Sequence, residues 1–358
     1  MERFGFVGLP NAGKSSLYNA LAGGGALAAP YAFATRDPNV GVAKVPDHRL
    51  EALAAMSSSR NVVPAAVQFV DIGGLVEGAS KGEGLGNRFL ANIRESDAVV
   101  YVLRAFEDED VPGPSDPLEH LSVLELELTL ADIESVESQL EKRRKAARAD
   151  KSLMPEVEAL DAALAILGEG TPLYRSDLDE EARTLLRPWF LLTNRPVLAV
   201  VNVAEDRLGE LDAAVAPVEA ELGGRAEVIG MCVQLEAEAA QLTGDDRTEM
   251  LEALGLGDGA LPRFLRTAYH LLGLRTFLTT GEKESRAWTF RAGWKAPQAA
   301  GVIHTDFERG FIRAEVIDWA ELIEIGSWSK AREVGKMRVE GKDYVVADGD
   351  VMEFRFNV

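Results

Sequence analysis

The stretch GLPNAGKS, residues 8 to 15, constrains what this chain can fold into more than any other part of the sequence. It matches the phosphate-binding pattern GxxxxGK followed by Ser or Thr, and it lies between the strand-like run RFGFVGL and the helical pattern SLYNALAG. Glycines in this context let backbone N–H groups turn toward anionic oxygens. The alternative is a glycine turn with a surface lysine. We predict a phosphate site built from Asn11, Ala12, Gly13, Lys14, Ser15 and Ser16.

Other side chains are expected to complete this site. Lys14 is predicted to reach the outer phosphates, and the Ser15 hydroxyl is predicted to ligate Mg²⁺. In FVDIGG, Asp71 can hold Mg²⁺ through water, and the Gly74 N–H can meet a γ-phosphate. Thr35 is expected to join the Mg²⁺ shell only when a triphosphate is bound. The alternatives are an ordinary turn at Asp71 and an ordinary loop threonine at Thr35.

The segment VVNVAED, residues 200 to 206, stands where a loop that reads the purine base is expected. A guanine site in this fold uses Asn-Lys-x-Asp, whereas here Asn202 is followed by Val203 and Glu205. The longer carboxylate of Glu205 cannot sit in the same plane at the same distance, so the segment favours ATP over GTP. We expect Asn202 to offer its amide to the N7 edge of the purine and Val203 to pack on the ring. The alternative is a strand-end turn that leads into a helix.

Strand-like and helical patterns divide the chain into four segments. Five apolar runs are typical of buried parallel strands, namely RFGFVGL, AAVQFVDIGG, DAVVYVLRAF, PVLAVVNVAE and AEVIGMCVQL. Between the third and fourth runs, spacings of three and four residues predict two long helices that pair as an antiparallel arm, through Leu121, Leu124, Leu128 and Ala131 and through Val157, Leu160, Leu164 and Leu167. We predict an α/β fold with a nucleotide-binding domain at 1–117 and 190–277, a helical arm at 118–189 and an α+β module at 278–358.

Composition excludes several other classes of protein. The net charge of −20 argues against general binding to nucleic acid, and we expect no DNA partner. The basic run KRRK at 142 to 145, near the turn of the arm, is a local exception that can meet phosphates, and solvated helix-end cations are the alternative. A single cysteine, Cys232, excludes an internal disulfide. No run of eighteen apolar residues and no signal core occur, so we expect no membrane span and a cytoplasmic location.

The chain resembles the Obg-like ATPases, also called the YchF family, over nearly its whole length. The resemblance is carried by GLPNAGKSSLYNAL, DPNVGV, FVDIGGLVEGASKGEGLGNRFLANIRE, NVAE, APQAAGVIHTDFERGFIRAEVI and EGKDYVVADGDVMEFRFNV. It implies a P-loop domain with a mainly parallel sheet, a helical coiled-coil insertion and a C-terminal TGS module with a β-grasp fold. It also implies an ATPase associated with ribosomes or translation that binds ATP better than GTP.

The resemblance gives further residues a role. Leu75 matches the apolar residue that replaces the water-positioning glutamine of other switch NTPases, so slow hydrolysis is expected. Asn11 matches a position that helps to hold K⁺ in related NTPases, and local hydrogen bonding within the loop is the alternative. Val233 takes a position behind the base, where its N–H is expected to bond the base. The histidine that many relatives carry after the third core strand is missing, and His120 lies beyond that loop.

These observations predict a slow Mg²⁺-dependent ATPase that acts as a nucleotide-controlled switch and binds the ribosome, a ribosomal subunit or rRNA. Lys14 would stabilise charge during phosphoryl transfer, Gly74 would sense the γ-phosphate, and Leu75 would supply no general base. Two alternatives stay open. One is a GTPase of ribosome assembly, and the other is an adaptor for the ribosome or RNA whose hydrolysis is incidental.

Overall fold

The computed structural model describes residues 1–23, 40–71, 90, 93–108 and 113–357. Three predicted site residues, Thr35, Gly74 and Leu75, lie outside the described residues. The chain divides into two units. The first unit contains Met1–Ala43 and Gln68–Phe264, and the second contains Lys44–Val67 and Leu265–Val358.

The first unit is built on a six-stranded sheet with the strand order β2-β4-β1-β5-β6-β7. Its strands are β1 (Arg3–Val7), β2 (Val40–Lys44), β4 (Ala66–Asp71), β5 (Ala98–Ala105), β6 (Val197–Val203) and β7 (Glu227–Met231), while β3 (Asn61–Val63) belongs to the other unit. Strand β1 runs parallel to β4 and β5, and β5, β6 and β7 continue in parallel. Every residue of β5 and β6 is buried, as expected for central parallel strands. The predicted α/β class is confirmed.

The first unit also contains helices on the sheet and in the arm. They are α1 (Lys14–Gly23), α3 (Pro117–Ala147), α4 (Met154–Gly168), α5 (Glu180–Leu186), α6 (Leu211–Leu222), α7 (Val233–Ala239), α8 (Asp245–Ala253) and α9 (Leu261–Leu271), while α2 (His48–Met56) belongs to the second unit. The beginning of α9 is fixed by aromatic packing, because Phe264 lies 5.5 Å from Phe69, which stacks on Phe6 at 5.3 Å. From there α9 carries the chain into the second unit.

The helical arm differs from its predicted packing in one respect. Leu121, Leu124, Leu128 and Ala131 belong to the same core as the sheet strands β5 and β6, and they do not form the seam of the arm. The arm has a separate core in which Val136 and Leu140 of α3 are joined by Val157 and Leu160 of α4. The physical reason is length: the apolar stripe of this 31-residue helix first covers the sheet and then continues onto α4.

The second unit contains a six-stranded sheet with the order β11-β10-β12-β8-β9-β3. Besides β3 and α2 it is formed by β8 (Leu274–Thr279), β9 (Glu284–Arg291), α10 (Ala296–Ile303), α11 (Thr305–Arg309), β10 (Phe311–Asp318), α12 (Trp319–Ile325), α13 (Trp328–Glu333), β11 (Arg338–Glu340) and β12 (Asp350–Phe356). Its core includes Phe277, packed against Phe290 and Phe354 with ring centroids 6.1 and 5.7 Å apart. Alanines on α10 are buried in the same core.

Residues 44–67 join this second unit although they come early in the chain. Strand β3 pairs in parallel with β9, from Asn61 opposite Glu284 to Val63 opposite Arg286. Arg49 at the start of α2 forms ion pairs with Asp47 and, at 2.9 Å, with Asp348. This contribution of residues 44–67 to the second unit is not predicted from the sequence. Among the described residues, no helix is long and apolar enough to cross a membrane.

Candidate nucleotide site

The loop between β1 and α1 has a backbone that requires glycine at two positions. Gly13 has φ 102, and a Cβ there would lie 2.4 Å from Nδ2 of Asn202. A Cβ on Gly8 would lie 2.6 Å from the carbonyl oxygen of Val102. Asn11 is left-handed with φ 61, a conformation that asparagine tolerates better than most residues. The two glycines are therefore required by close approach, and the loop leads directly into the start of α1.

Lys14 is held inside this loop. Its side chain is buried, and Nζ donates to the carbonyl oxygen of Leu9 at 2.8 Å. Burial lowers the pKa of Lys14 to about 8, while the nearby charge of Asp71 acts in the opposite direction. The amine thus contacts a loop carbonyl group and carries a charge that is costly to bury until an anion binds.

The two predicted metal ligands that the structure describes lie next to each other. Ser15 Oγ donates to Oδ2 of Asp71 at 2.9 Å, which joins the start of α1 to the end of β4. Hydroxyl and carboxylate oxygens suit a hard cation such as Mg²⁺, which in phosphate sites is bound through one or two protein oxygens, phosphates and water. Among the described residues, no group of three or more His, Cys, Asp or Glu could hold a metal alone. The residues present fit Mg²⁺ bound together with a nucleotide.

Asn202 connects the phosphate loop to the base-side segment. Its Nδ2 donates to the carbonyl oxygen of Ala12 at 3.0 Å, and its Oδ1 accepts from the N–H of Val233 at 3.0 Å. The predicted bond from the N–H of Val233 to the base would therefore replace its bond to Asn202. Because an amide nitrogen has two protons, one proton of Asn202 remains for a ligand.

A cavity of about 640 Å³ extends from this loop along the carboxyl ends of β5, β6 and β7. Its lining includes predicted residues from the phosphate loop and from the base-side segment, among them Ser16 and Glu205. Val203 also borders the cavity, but it is 1% exposed and belongs to the core below, which leaves little of its side chain to cover a purine ring. The volume is within the usual range for a small-molecule site.

Two further walls of the cavity are not predicted from the sequence. Phe106, Glu107 and Asp108 follow β5, and Gln234 and Glu238 come from α7. Arg104 holds Phe106 in place, since its guanidinium lies 4.7 Å from the ring centroid and Nε donates to the Phe106 carbonyl oxygen at 2.9 Å. The available signal was the position of Phe106 directly after a parallel strand, at the sheet edge where ligands bind in open α/β folds.

His120 lies on α3 with its side chain buried. Its Nε2 is 2.8 Å from the carbonyl oxygen of Pro114. Burial lowers the pKa of His120, and the positive charges of Arg104 and Lys14 act in the same direction. The neutral imidazole is therefore part of the interior.

Comparison with known proteins finds relatives over the full chain. Residues 3–203 match a family described as 50S ribosome-binding GTPase, and residues 274–357 match the YchF-GTPase C-terminal family, described as a protein of unknown function (DUF933). The ribosome-binding ATPase YchF of Bacillus subtilis is 46% identical over 361 residues, and that of Escherichia coli O157:H7 is 44% identical, each alignment covering 99% of both chains. The structure of the Schizosaccharomyces pombe YchF GTPase is 34% identical, with a TM-score of 0.87 over 99% of this chain and 97% of that one.

Proposed function

This chain belongs to the YchF family, and from that premise we propose that it is a ribosome-binding ATPase whose hydrolytic centre is the site around Lys14. The observation that carries the proposal is one juxtaposition. One cavity at the end of a parallel sheet brings together three features. They are the Ser15–Asp71 hydrogen bond, the buried amine of Lys14 and the bridge formed by Asn202. That arrangement suits a nucleoside triphosphate.

The residues of this chain bind, orient and neutralise the phosphates. Protonated Lys14 exchanges its bond to Leu9 for phosphate oxygens, and the N–H groups at the start of α1 face the same oxygens. Mg²⁺, when bound, neutralises charge on the phosphates, and Ser15 would ligate it directly with Asp71 acting through water. We further propose that the N–H of Gly74 senses the γ-phosphate and that Thr35 ligates Mg²⁺ only in the triphosphate state.

We propose that turnover by the protein alone is slow. The side chain of Leu75 can neither orient a water molecule nor accept its proton. The buried His120 is bonded to a backbone carbonyl group and offers no exposed base. Asn11 is proposed to help hold K⁺ beside the phosphates, where the cation would stabilise the charge that develops during transfer.

ATP is the proposed substrate because the base-side segment lacks the lysine and aspartate of a guanine site. The curated relatives carry ATPase in their names, whereas the family matched by residues 3–203 is described as a GTPase. GTP is therefore the second candidate. We also propose a cytoplasmic location, and a TGS module of the β-grasp type in the second unit.

Ribosome co-sedimentation tests this function. Wild type and Lys14→Ala would be centrifuged with ribosomes in ATP, GTP, a non-hydrolysable ATP analogue or no nucleotide, and ATP hydrolysis would be measured in parallel. We expect wild type to bind ribosomes most tightly with the ATP analogue, and Lys14→Ala to lose both hydrolysis and this nucleotide dependence. Binding by Lys14→Ala that responds to nucleotide like wild type would favour the adaptor. Wild type that stays in the supernatant in all four states would contradict the proposal.

A further inference from the structure

The charge of this protein is divided unequally between its two units. The first unit contains 21 Lys and Arg against 42 Asp and Glu, whereas the second contains 17 against 16. The strongly acidic character of the whole chain thus belongs to the first unit. The second unit is close to neutral, so its surface repels an anionic partner over long range far less than the surface of the first unit does.

A long stretch without acidic side chains spans the point where the charge changes. From Gly259 to Gly281 the sequence has no Asp or Glu. Helix α9 lies inside this stretch, with Leu261, Phe264, Leu265, Ala268 and Tyr269 buried. Arg263, Arg266 and His270 are exposed at spacings of three and four residues, which places them on one face of the helix. We call these three residues the α9 basic face.

The two arginines of the α9 basic face are not neutralised within the part of the chain that the structure describes. Neither Arg263 nor Arg266 has a carboxylate within ion-pair distance there, in contrast to Arg49, which pairs with Asp348. Burial lowers the pKa of His270, and the charges of Arg275 and Arg266 contribute in the same direction. Asp348 also accepts from the Thr276 N–H, so its oxygens are engaged. This face therefore presents a positive potential to solvent.

We propose that the α9 basic face binds the phosphate backbone of ribosomal RNA. This inference rests on the proposed ribosome binding and names the chemistry of one contact. Arginine presents a planar fork of donors that matches phosphate oxygens. The eight residues from Arg263 to His270 span about 10 Å along the helix axis, enough for more than one phosphate. Basic ribosomal proteins would be repelled by this face, which is why the partner is RNA.

The test compares charge removal on this face with charge removal elsewhere. The variant is Arg263→Gln with Arg266→Gln. The matched control is Arg187→Gln with Arg225→Gln, two exposed arginines of the first unit that pair with Glu180 and Asp177. Affinity would be measured for whole ribosomes and for deproteinised ribosomal RNA at several salt concentrations. We expect the slope of log affinity against log salt to fall by roughly 1.5 to 2 for the variant only, so that its deficit shrinks roughly tenfold between about 50 and about 200 mM salt.

Each outcome decides one point. Ribosome binding by the variant that equals binding by the control would overturn this inference and leave the proposed function intact. A variant weakened on ribosomes but not on deproteinised RNA would place a ribosomal protein, not RNA, on this face. If wild type binds neither ribosomes nor RNA, the proposed function and this inference both fail. Thermal stability and ATP affinity equal to wild type show that the variant is folded.

Discussion

At the scale of single residues, the amine of Lys14 links nucleotide binding to pH. Its pKa in the free protein is about 8, and phosphate oxygens favour the protonated form. ATP binding should therefore take up a proton above about pH 8, and affinity should fall as pH rises further. Calorimetry in two buffers with different ionisation enthalpies, at about pH 7 and about pH 8.5, measures this uptake. Lys14→Met should abolish it, and wild type that takes up no proton at about pH 8.5 would refute the argument.

The lowered pKa of Lys14 also makes the free energy of unfolding depend on pH. The Lys14 pKa is lower in the folded protein than its ordinary value of 10.5, so the folded state binds fewer protons between about pH 8 and 10.5. The free energy of unfolding contributed by Lys14 therefore rises with pH through this window. Below about pH 8 the buried charge of Lys14 lowers the free energy of unfolding by an amount that does not change with pH.

Asn202 should matter for both stability and binding. Asn202→Ala leaves the buried carbonyl of Ala12 and the N–H of Val233 without partners, at about 1–3 kcal/mol each. We expect a lower melting temperature together with at least tenfold weaker ATP binding. Asn194→Ala is the matched control, because Asn194 makes a similar pair of bonds to Arg183 away from the site. The control should lose stability and keep ATP affinity; loss of affinity in both variants would remove the special role of Asn202.

The base-side segment gives a further test at this scale. Val203→Lys with Glu205→Asp restores the guanine-reading pair and should shift preference toward GTP. Calorimetric titration of ATP and GTP into wild type, Glu205→Asp alone and the double variant measures the shift. Tighter GTP binding by wild type would refute the ATP assignment. If the double variant keeps the nucleotide preference of wild type, the specificity lies in the backbone and in the walls formed by Phe106 and α7.

At the scale of elements, the arm tip contains two kinds of cation that its sequence did not distinguish. Arg143 pairs with Glu156 and lies over the ring of Trp189, and Arg144 pairs with Asp161. Within the described chain, the exposed cations Lys142, Lys145 and Arg148 have no such partner. The tip therefore contains an inner pair of arginines that holds α3 to α4 and an outer set that is available for phosphate.

This division predicts different effects for the two sets. Replacing Lys142, Lys145 and Arg148 with Gln should weaken ribosome binding and flatten its salt dependence, with stability nearly unchanged. Replacing Arg143 and Arg144 with Gln should lower the stability of the arm and affect ribosome binding less. Co-sedimentation at several salt concentrations and thermal unfolding separate the two. Equal ribosome binding by wild type and the outer-set variant would leave the tip as an ordinary solvated helix end.

The elements also show what the sequence could and could not predict. The phosphate loop and the parallel strands were predictable because their signals are local. The predicted seam of the arm was wrong for α3. A leucine stripe indicates that one face of a helix is buried, but it does not indicate which element covers that face. The bond between the N–H of Val233 and Asn202, 31 residues earlier, could not be predicted because it joins residues far apart in the sequence. The place of β3 could not be predicted because its three residues pair with a strand more than two hundred positions later.

At the scale of the whole molecule, a net charge is a poor guide to binding when it is the sum of unlike parts. The net charge of −20 argues against general binding to nucleic acid, with the arm tip as a local exception. Division by unit shows that all of the excess acid is in the unit that binds nucleotide. Most of the surface of the first unit is thus suited to repel RNA, with the arm tip and Arg263 as local exceptions, whereas the near-neutral second unit does not repel it.

The early position of residues 44–67 also sets an order of events during synthesis. A ribosome that adds 5 to 20 residues per second completes β9 roughly 10 to 45 s after it has made β3, its neighbour in the sheet. During that time α2 and β3 have emerged with no sheet to join. The second unit can be closed only when β12, the last strand, leaves the exit tunnel. Residues 44–67 can therefore complete their packing only after the C-terminal strand β12 has been made.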